Sequence, residues 1–238
     1  QLHPPQLRDA DRRNAARPRG VDDAARGLVQ LWDSRTGERL AEPVAQRFVS
    51  AIFFPMQAHR LLLWESITTM SGSFRKQTDG SFRLLDIASR PALCEPLLDG
   101  TAGASATGLF TPDGRSVVIH GKQRADDPWQ LMVWDAVSRR LRLALPLPPA
   151  VYGYAGAFRL SPDGSQALLG SSDGRARVWS LETGDLLREL VAGEAITALS
   201  VSPDGTRLAT GTGAGKVRVW RLATGAPLLD PLEHGSVA

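Results

Sequence analysis

The chain contains one cysteine, Cys94, and four histidines in 238 residues. A single cysteine excludes an internal disulfide and any metal site that needs several cysteines. We expect Cys94 to pack as a small apolar residue. The histidines, at positions 3, 59, 120 and 234, are not spaced as metal ligands are. The sequence therefore predicts no metal site and no bound cofactor.

Long apolar runs are also lacking, although 42% of the residues are hydrophobic and 22% are charged. No segment approaches the roughly 20 apolar residues that cross a bilayer, and the first residues do not form a signal peptide. This composition is typical of a soluble globular protein. We expect a cytoplasmic protein that has no membrane partner.

A large excess of one charge is absent as well, because the net charge is only +3. Most of the basic residues are arginines, and they are scattered along the chain without a block. Nucleic-acid binding through an arginine-rich surface is therefore the weaker of two alternative functions, and it would require these arginines to share one face.

Catalytic motifs are missing too. The chain has no Gly-x-Ser-x-Gly segment, and Cys94 has no histidine partner close in sequence. The glycine-rich segment 211–215 is followed by a strand pattern, whereas a phosphate loop is followed by a helix. The sequence predicts no catalytic residues. An enzyme or a cofactor-binding domain remains the first alternative.

What the chain has instead is an internal repeat. One copy consists of Ser161-Pro162-Asp163-Gly164, an apolar run, Asp173-Gly174 and the alternating segment from Arg175 to Trp179. The next copy follows the same order from Ser202 to Trp220. A repeat of this length indicates a solenoid or a propeller, in which each unit buries its apolar faces against its neighbours.

Each copy ends at a tryptophan or at an aliphatic substitute for it. These markers are Trp32, Leu85, Trp134, Trp179 and Trp220, separated by 53, 49, 45 and 41 residues. The two shorter spacings are close to the 40–45 residues of a propeller blade, and the two longer ones predict loop insertions. Four strand signals joined by tight turns fill each period, which predicts four-stranded antiparallel sheets that stack radially.

These motifs resemble those of the WD40-repeat family, and the resemblance covers about residues 27–238. It implies an all-β, WD40-type β-propeller with a partial blade at 28–44, four full blades at about 48–98, 105–148, 154–192 and 195–233, and the start of another strand at 234–238. Residues 1–26 are expected to be a linker or a degraded repeat. Because the ring predicted in this way is incomplete, we hypothesise that the chain is an internal piece of a longer bacterial multidomain protein.

The resemblance also implies a hydrogen-bonded set of structural residues in each repeat. Ser171, Asp173 and Trp179 can supply three members of one set, and Thr210 with Trp220 can supply two of the next. Glu194 stands about where the family has a histidine. The remaining structural repeat residues are Trp32, Asp33, Asp86, Trp134 and Asp135.

The connection 120–129 is the one insertion in a hairpin that the sequence predicts, and insertions of this kind often lie on a binding face. We expect a partner-binding rim that contains Arg124, Trp129, Tyr152, Tyr154 and Glu194. Two alternatives are open for this connection. It is a surface loop with Trp129 packed on the neighbouring strand, or His120, Asp126 and Asp127 bind a metal.

The function that the resemblance implies is a non-catalytic interaction or scaffold module that binds a protein or peptide, within a bacterial signalling protein. Rigid loops around a central channel would hold the partner, because preorganised loops lose little entropy on binding.

Overall fold

The computed structural model describes residues 27–30, 32–33, 35–39, 44–46, 49–53, 60–71, 74–86, 93–98, 106–123, 126–148 and 157–233. The predicted linker at 1–26 and the predicted strand at 234–238 lie outside these residues. Within the described part of the chain the regular structure is all strand. In chain order the strands are β1 (Gly27–Val29), β2 (Val44–Gln46), β3 (Val49–Phe53), β4 (Arg60–Ser71), β5 (Phe74–Asp86), β6 (Leu93–Leu98), β7 (Thr107–Phe110), β8 (Ser116–Gly121), β9 (Gln130–Asp135), β10 (Leu141–Pro146), β11 (Phe158–Leu160), β12 (Gln166–Gly170), β13 (Arg175–Ser180), β14 (Leu186–Val191), β15 (Ile196–Val201), β16 (Arg207–Thr212), β17 (Lys216–Arg221) and β18 (Leu232–Glu233).

The strands form four four-stranded antiparallel sheets, each in simple sequence order. We number them by position: the first sheet is β3–β6, the second β7–β10, the third β11–β14 and the fourth β15–β18. The strands β1 and β2 pair as a separate antiparallel hairpin. This architecture confirms the predicted all-β fold built from four-stranded blades.

The Pro-Asp-Gly turns begin the hairpins as the sequence predicts. In the third sheet Gly164 adopts a φ of 74°, a conformation that favours glycine. Asp163 accepts a hydrogen bond from the Ser161 hydroxyl at 2.5 Å and one from the Ser165 amide at 3.1 Å. The same pattern recurs at 111–115 and 202–206. The turn side chain thus satisfies backbone groups that would otherwise lack partners.

Apolar side chains alternate between the two neighbours of each sheet. In β8, Val117 and Ile119 pack in a cluster with side chains of the first sheet, whereas Val118 between them packs against the third sheet. In β12, Leu169 packs in the same cluster as Val118, between the second and third sheets, whereas Leu168 packs against the fourth sheet. Because strand side chains alternate with a period of two, the second and third sheets each bury both of their faces. This packing is the stacking that the repeat predicts.

The insertion in the first sheet takes a form that the sequence analysis missed. The strands β4 and β5 contain 12 and 13 residues, and they pair from Arg60↔Asp86 to Ser71↔Phe74. The extra residues therefore lengthen a hairpin, whereas the spacing predicted a loop. The connection 120–129 is therefore not the one insertion in a hairpin, because the β4–β5 hairpin contains a second. Asp79-Gly80, a turn signal in the sequence, lies within the strand β5.

One glycine position distinguishes the third and fourth sheets and gives a direct test of their packing. A Cβ atom on Gly170 would lie 2.4 Å from Ile196 Cγ2 and 3.2 Å from Ala157 Cβ, whereas a Cβ on Gly211 would meet Ala198 at 3.5 Å. Gly211 occupies the same place in the repeat, 41 residues later. We expect Gly170→Ala to lower the free energy of unfolding by about 1–3 kcal/mol, because an overpacked core must shift.

Gly211→Ala is the matched control, and we expect it to change the stability by less than about 1 kcal/mol. Urea unfolding followed by tryptophan fluorescence measures both variants. Equal losses for the two variants would contradict the close packing of the third and fourth sheets.

Candidate functional site

A continuous rim of turns joins the third and fourth sheets at one end. The rim consists of the β12–β13 turn (171–174), the β14–β15 loop (192–195) and the β16–β17 turn (213–215). Gly174 O accepts hydrogen bonds from the Ala192 amide at 2.8 Å and the Gly193 amide at 3.2 Å. The Gly213 amide donates to Ala195 O at 3.2 Å. The backbone of each loop is thus fixed by the turn beside it.

A polar network lies behind the β12–β13 turn. Arg177 donates to Asp173 Oδ2 at 2.6 Å, to Glu189 Oε2 at 2.9 Å and to Ser171 Oγ at 3.0 Å. Ser171 also donates to Asp173, and Arg175 pairs with Glu189. Burial alone would raise the pKa of Asp173, but the hydrogen bonds from Arg177 and Ser171 hold it below its ordinary value. The network is therefore charged and internally neutralised.

This network differs from the hydrogen-bonded set that the resemblance implies. Ser171 and Asp173 bind Arg177, and among the described residues the Trp179 indole takes no part in the set. Leu169 explains this, because it stands opposite Arg177, where Thr210 stands opposite Arg218 in the fourth sheet. Arg177 itself is buried, since only 9% of its side chain is exposed.

Glu194 links the two sheets across the rim. Its carboxylate accepts from Lys216 Nζ at 2.6 Å and from Thr212 Oγ1 at 3.2 Å. The bond from Lys216 lowers the pKa of Glu194, and Glu194 in turn raises the pKa of Lys216. Glu194 therefore bonds to the next sheet from the position where the family has a histidine.

The fourth sheet contains the buried indole pair that the repeat motif implies. Trp220 Nε1 donates to Thr210 Oγ1 at 3.0 Å, and both residues are buried. In the second sheet Ile119 has the register position of Thr210, and the Trp134 indole nitrogen is buried without a partner among the described residues. The isoleucine side chain offers no hydroxyl, which accounts for the missing hydrogen bond of the Trp134 indole.

We expect Thr210→Val to lower the free energy of unfolding by about 1–3 kcal/mol, because the Trp220 indole would lose its acceptor while buried. Thr210→Ser keeps the hydroxyl and should cost less than the valine variant. Chemical denaturation at neutral pH measures both. A larger loss for serine than for valine would show that the methyl group, and not the hydrogen bond, stabilises this position.

The other repeat markers lie near turns. Trp32 is 57% exposed and bridges to Arg39, so it does not have the buried environment that its motif predicts. Asp33 accepts from the Arg35 and Thr36 amides at 2.7 and 3.0 Å. Asp135 likewise accepts from two backbone amides of the turn that follows β9. Asp86 forms an ion pair with Arg60 on the neighbouring strand. The aspartates of these markers therefore act in local turn and cross-strand bonds.

The long β8–β9 connection brings an aromatic pair to the same end of the sheets. His120 stacks on Trp129 with ring centroids 4.7 Å apart, and it faces Phe158 at 6.3 Å. Trp129 is half-buried, which agrees with the alternative that it packs on a neighbouring strand. The predicted rim residues Arg124, Tyr152 and Tyr154 lie outside the described residues.

No group of three possible metal ligands occurs in the described residues. The His120 ring is buried in an aromatic contact. The packing therefore gives no support to the alternative of a metal held by His120, Asp126 and Asp127.

The opposite end of the third and fourth sheets contains a cavity of about 370 Å³. Its charged lining residues are Asp163, Arg188 and Asp204. Both carboxylates are bonded within their own turns, and Arg188 Nε donates to Ala223 O at 2.9 Å. These groups are engaged in the fold, so the rim is the stronger candidate for a site.

Comparison with protein families gives a match within the third and fourth sheets. The family model for the WD domain, G-beta repeat, matches residues 184–221. The matched segment runs from the end of the third sheet through β17 and contains Glu194, Thr210 and Trp220 of the rim and its support. A search of curated proteins finds no match. Across the part of the chain that the structure describes, no helix is both long enough and apolar enough to span a membrane.

Proposed function

We propose that this chain, which belongs to the WD40-repeat family, is a non-catalytic interaction module whose loop rim binds a protein or peptide. The observation that carries the proposal is the link between the sheets at the rim. Glu194 bonds to Lys216 and Thr212 of the next sheet, and the backbone of each loop bonds to the adjacent turn. A surface held in this way loses little conformational entropy when a partner docks.

The chemistry of the rim supports binding rather than catalysis. Its carboxylates, Asp173, Glu189 and Glu194, are paired with cations, and His120 is buried in an aromatic contact. A general base must accept a proton from its substrate, whereas these groups are engaged by partners within the fold. The segments 39–43 and 226–234 resemble repeats of large bacterial multidomain proteins, and this resemblance supports a place for the module within a signalling protein.

The test is selection of a random 12-residue peptide library on the full chain, followed by hydrogen exchange of the complex. We expect amide protection at 171–175, 192–196 and 212–216. Glu194→Lys breaks the link between the sheets and should weaken binding of the selected peptides about ten-fold, because the loop is no longer held to Lys216 and Thr212 before the peptide docks. Glu182→Lys, on an exposed turn at the opposite end, is the control. Protection confined to other surfaces would overturn the proposal.

A further inference from the structure

The third and fourth sheets carry one arginine at the same register position. Arg177 lies opposite Leu169, and Arg218 lies opposite Thr210. Each arginine precedes the marker tryptophan of its strand by two residues. The two sites are thus internal copies of one another, and they can be compared atom by atom.

The arginine of the third sheet has three partners. Its guanidinium donates to Ser171 and Asp173 in the turn and to Glu189 on the outer strand. Asp173 stands four residues before Arg177. Its carboxylate lies at the rim with 21% of its side-chain surface exposed, so this partner occupies a place that adjoins solvent.

The arginine of the fourth sheet lacks this carboxylate. Ala214 stands four residues before Arg218, and it is exposed. Arg218 Nε is buried without a hydrogen-bond partner among the described residues, and its guanidinium carbon lies 5.9 Å from the centroid of the Trp220 ring. The place that Asp173 fills in the third sheet is therefore open at the rim of the fourth.

The carboxylate that is present near Arg218 already has other partners. The positive charge of Arg218 contributes to the lowered pKa of Glu194, after the stronger effect of the bond from Lys216. The two oxygens of Glu194 accept from Lys216 and Thr212. Glu233, the other carboxylate at this end, lies opposite Lys216 and acts on that lysine. Among the described residues neither carboxylate bonds to Arg218.

We propose that Arg218 is a recognition subsite for a carboxylate side chain in an acidic segment of the partner peptide. The incoming aspartate or glutamate takes the place beside the guanidinium that Asp173 fills in the third sheet, and the Trp220 ring holds the guanidinium from behind. Charge-assisted hydrogen bonds of this type are stronger than neutral ones. The inference rests on the proposed function, because it names the chemistry of the partner at the same rim.

A carboxylate fits this site better than the phosphates of a nucleic acid. The equivalent place in the third sheet is filled by a carboxylate, Asp173, which sets the size and charge of the occupant. Nucleic-acid binding needs several phosphate contacts. At this end of the fourth sheet Lys216 is engaged by Glu194, which leaves Arg218 as the one unpaired cation that the described residues of β17 present there.

The experiment uses the full chain and the same random 12-residue peptide library. We expect peptides selected on the wild type to be enriched in aspartate and glutamate. Ala214→Asp supplies an internal carboxylate to Arg218, and Arg218→Gln removes the cation. Both variants should lose the enrichment and should bind a wild-type-selected acidic peptide at least about ten-fold more weakly, as measured by fluorescence anisotropy.

Two controls make the same charge changes at the other end of the fourth sheet. Ala223→Asp and Arg221→Gln alter exposed residues there, and we expect affinities within two-fold of the wild type. Thermal unfolding separates a binding defect from a folding defect. Ala214→Asp should unfold at the same temperature as the wild type or higher, because it restores the partner that Arg177 has.

The outcomes distinguish this proposal from the proposed function. Peptides that protect the rim without acidic enrichment, or that bind Ala214→Asp as tightly as the wild type, overturn the Arg218 subsite and leave the interaction module standing. Peptides that protect only other surfaces overturn the interaction module itself. Binding of duplex DNA that depends on Arg218, in place of acidic peptides, would also overturn the subsite.

Discussion

Replacing Arg177 by methionine is expected to lower the free energy of unfolding by about 3 kcal/mol. Arg177 is almost fully buried, and it donates to Asp173, Glu189 and Ser171. Removing one member of a buried ion network leaves uncompensated charge, which costs about 3–5 kcal/mol. The lower end of this range applies because the Asp173 and Glu189 side chains keep 21% and 30% of their surface exposed.

Arg175→Met is the matched control for this prediction. Arg175 lies on the same strand two residues earlier and pairs with the same Glu189, but 44% of its side chain is exposed. A solvent-exposed pair contributes about 0–1 kcal/mol, so we expect a loss below about 1 kcal/mol. Urea unfolding at pH 7 measures both variants. The double variant Arg177→Met/Asp173→Ala should recover part of the lost stability. Equal losses of unfolding free energy for Arg175→Met and Arg177→Met would contradict a stabilising role for the buried network.

Acidification from pH 7 to pH 5 is expected to destabilise the protein by about 2 kcal/mol through His120 alone. The ring is 1% exposed, and neither nitrogen has a hydrogen-bond partner among the described residues. Burial lowers the pKa of His120 from 6.5 to about 4. Because the folded-state pKa is below the unfolded value, this stability is present above pH 6.5 and is lost as the pH falls from 6.5 toward 4.

His120→Leu removes the titrating group at nearly constant volume and tests this prediction. We expect the variant to be as stable as the wild type at pH 7, and its stability to depend less on pH between 7 and 5. The aspartates of the turns do not account for a loss in this window, because their pKa values lie below 3.8 in the folded protein. Parallel stability curves for the wild type and His120→Leu would contradict the assignment.

The regular part of the fold could be predicted from the sequence because its signals are local. The Ser-Pro-Asp-Gly turn before Ser165 and the alternation from Arg175 to Trp179 each specify their own hairpin, and their repetition specifies the sheets. The hydrogen bond between Thr210 and Trp220 joins two residue types that the motif itself pairs. Such features depend on few residues and on short distances along the chain.

The candidate site could be predicted only in part, since its contacts depend on the register between strands and on neighbouring sheets. Glu194 stands out in the repeat pattern, but its bonds to Lys216 and Thr212 depend on strand register and are not visible in the sequence. The motif pairs Asp173 with Trp179, whereas strand register places Arg177 beside Asp173. Leu169 lies opposite Arg177, at the position where the fourth sheet has Thr210. This apolar residue in the repeat is the feature that indicates a Trp179 indole without its acceptor.

The alternation of side chains along β8 and β12 has a consequence for how local damage spreads. Val117 and Val118 pack against different neighbouring sheets, and so do Leu168 and Leu169. Local unfolding of the second or third sheet therefore exposes apolar surface on both of its neighbours. The energetics are those of a row of coupled units, in which stability passes from each unit to the next. An amino-acid change in the middle of the row, such as Gly170→Ala, therefore weakens units it never touches, whereas the same change at a terminal unit remains local.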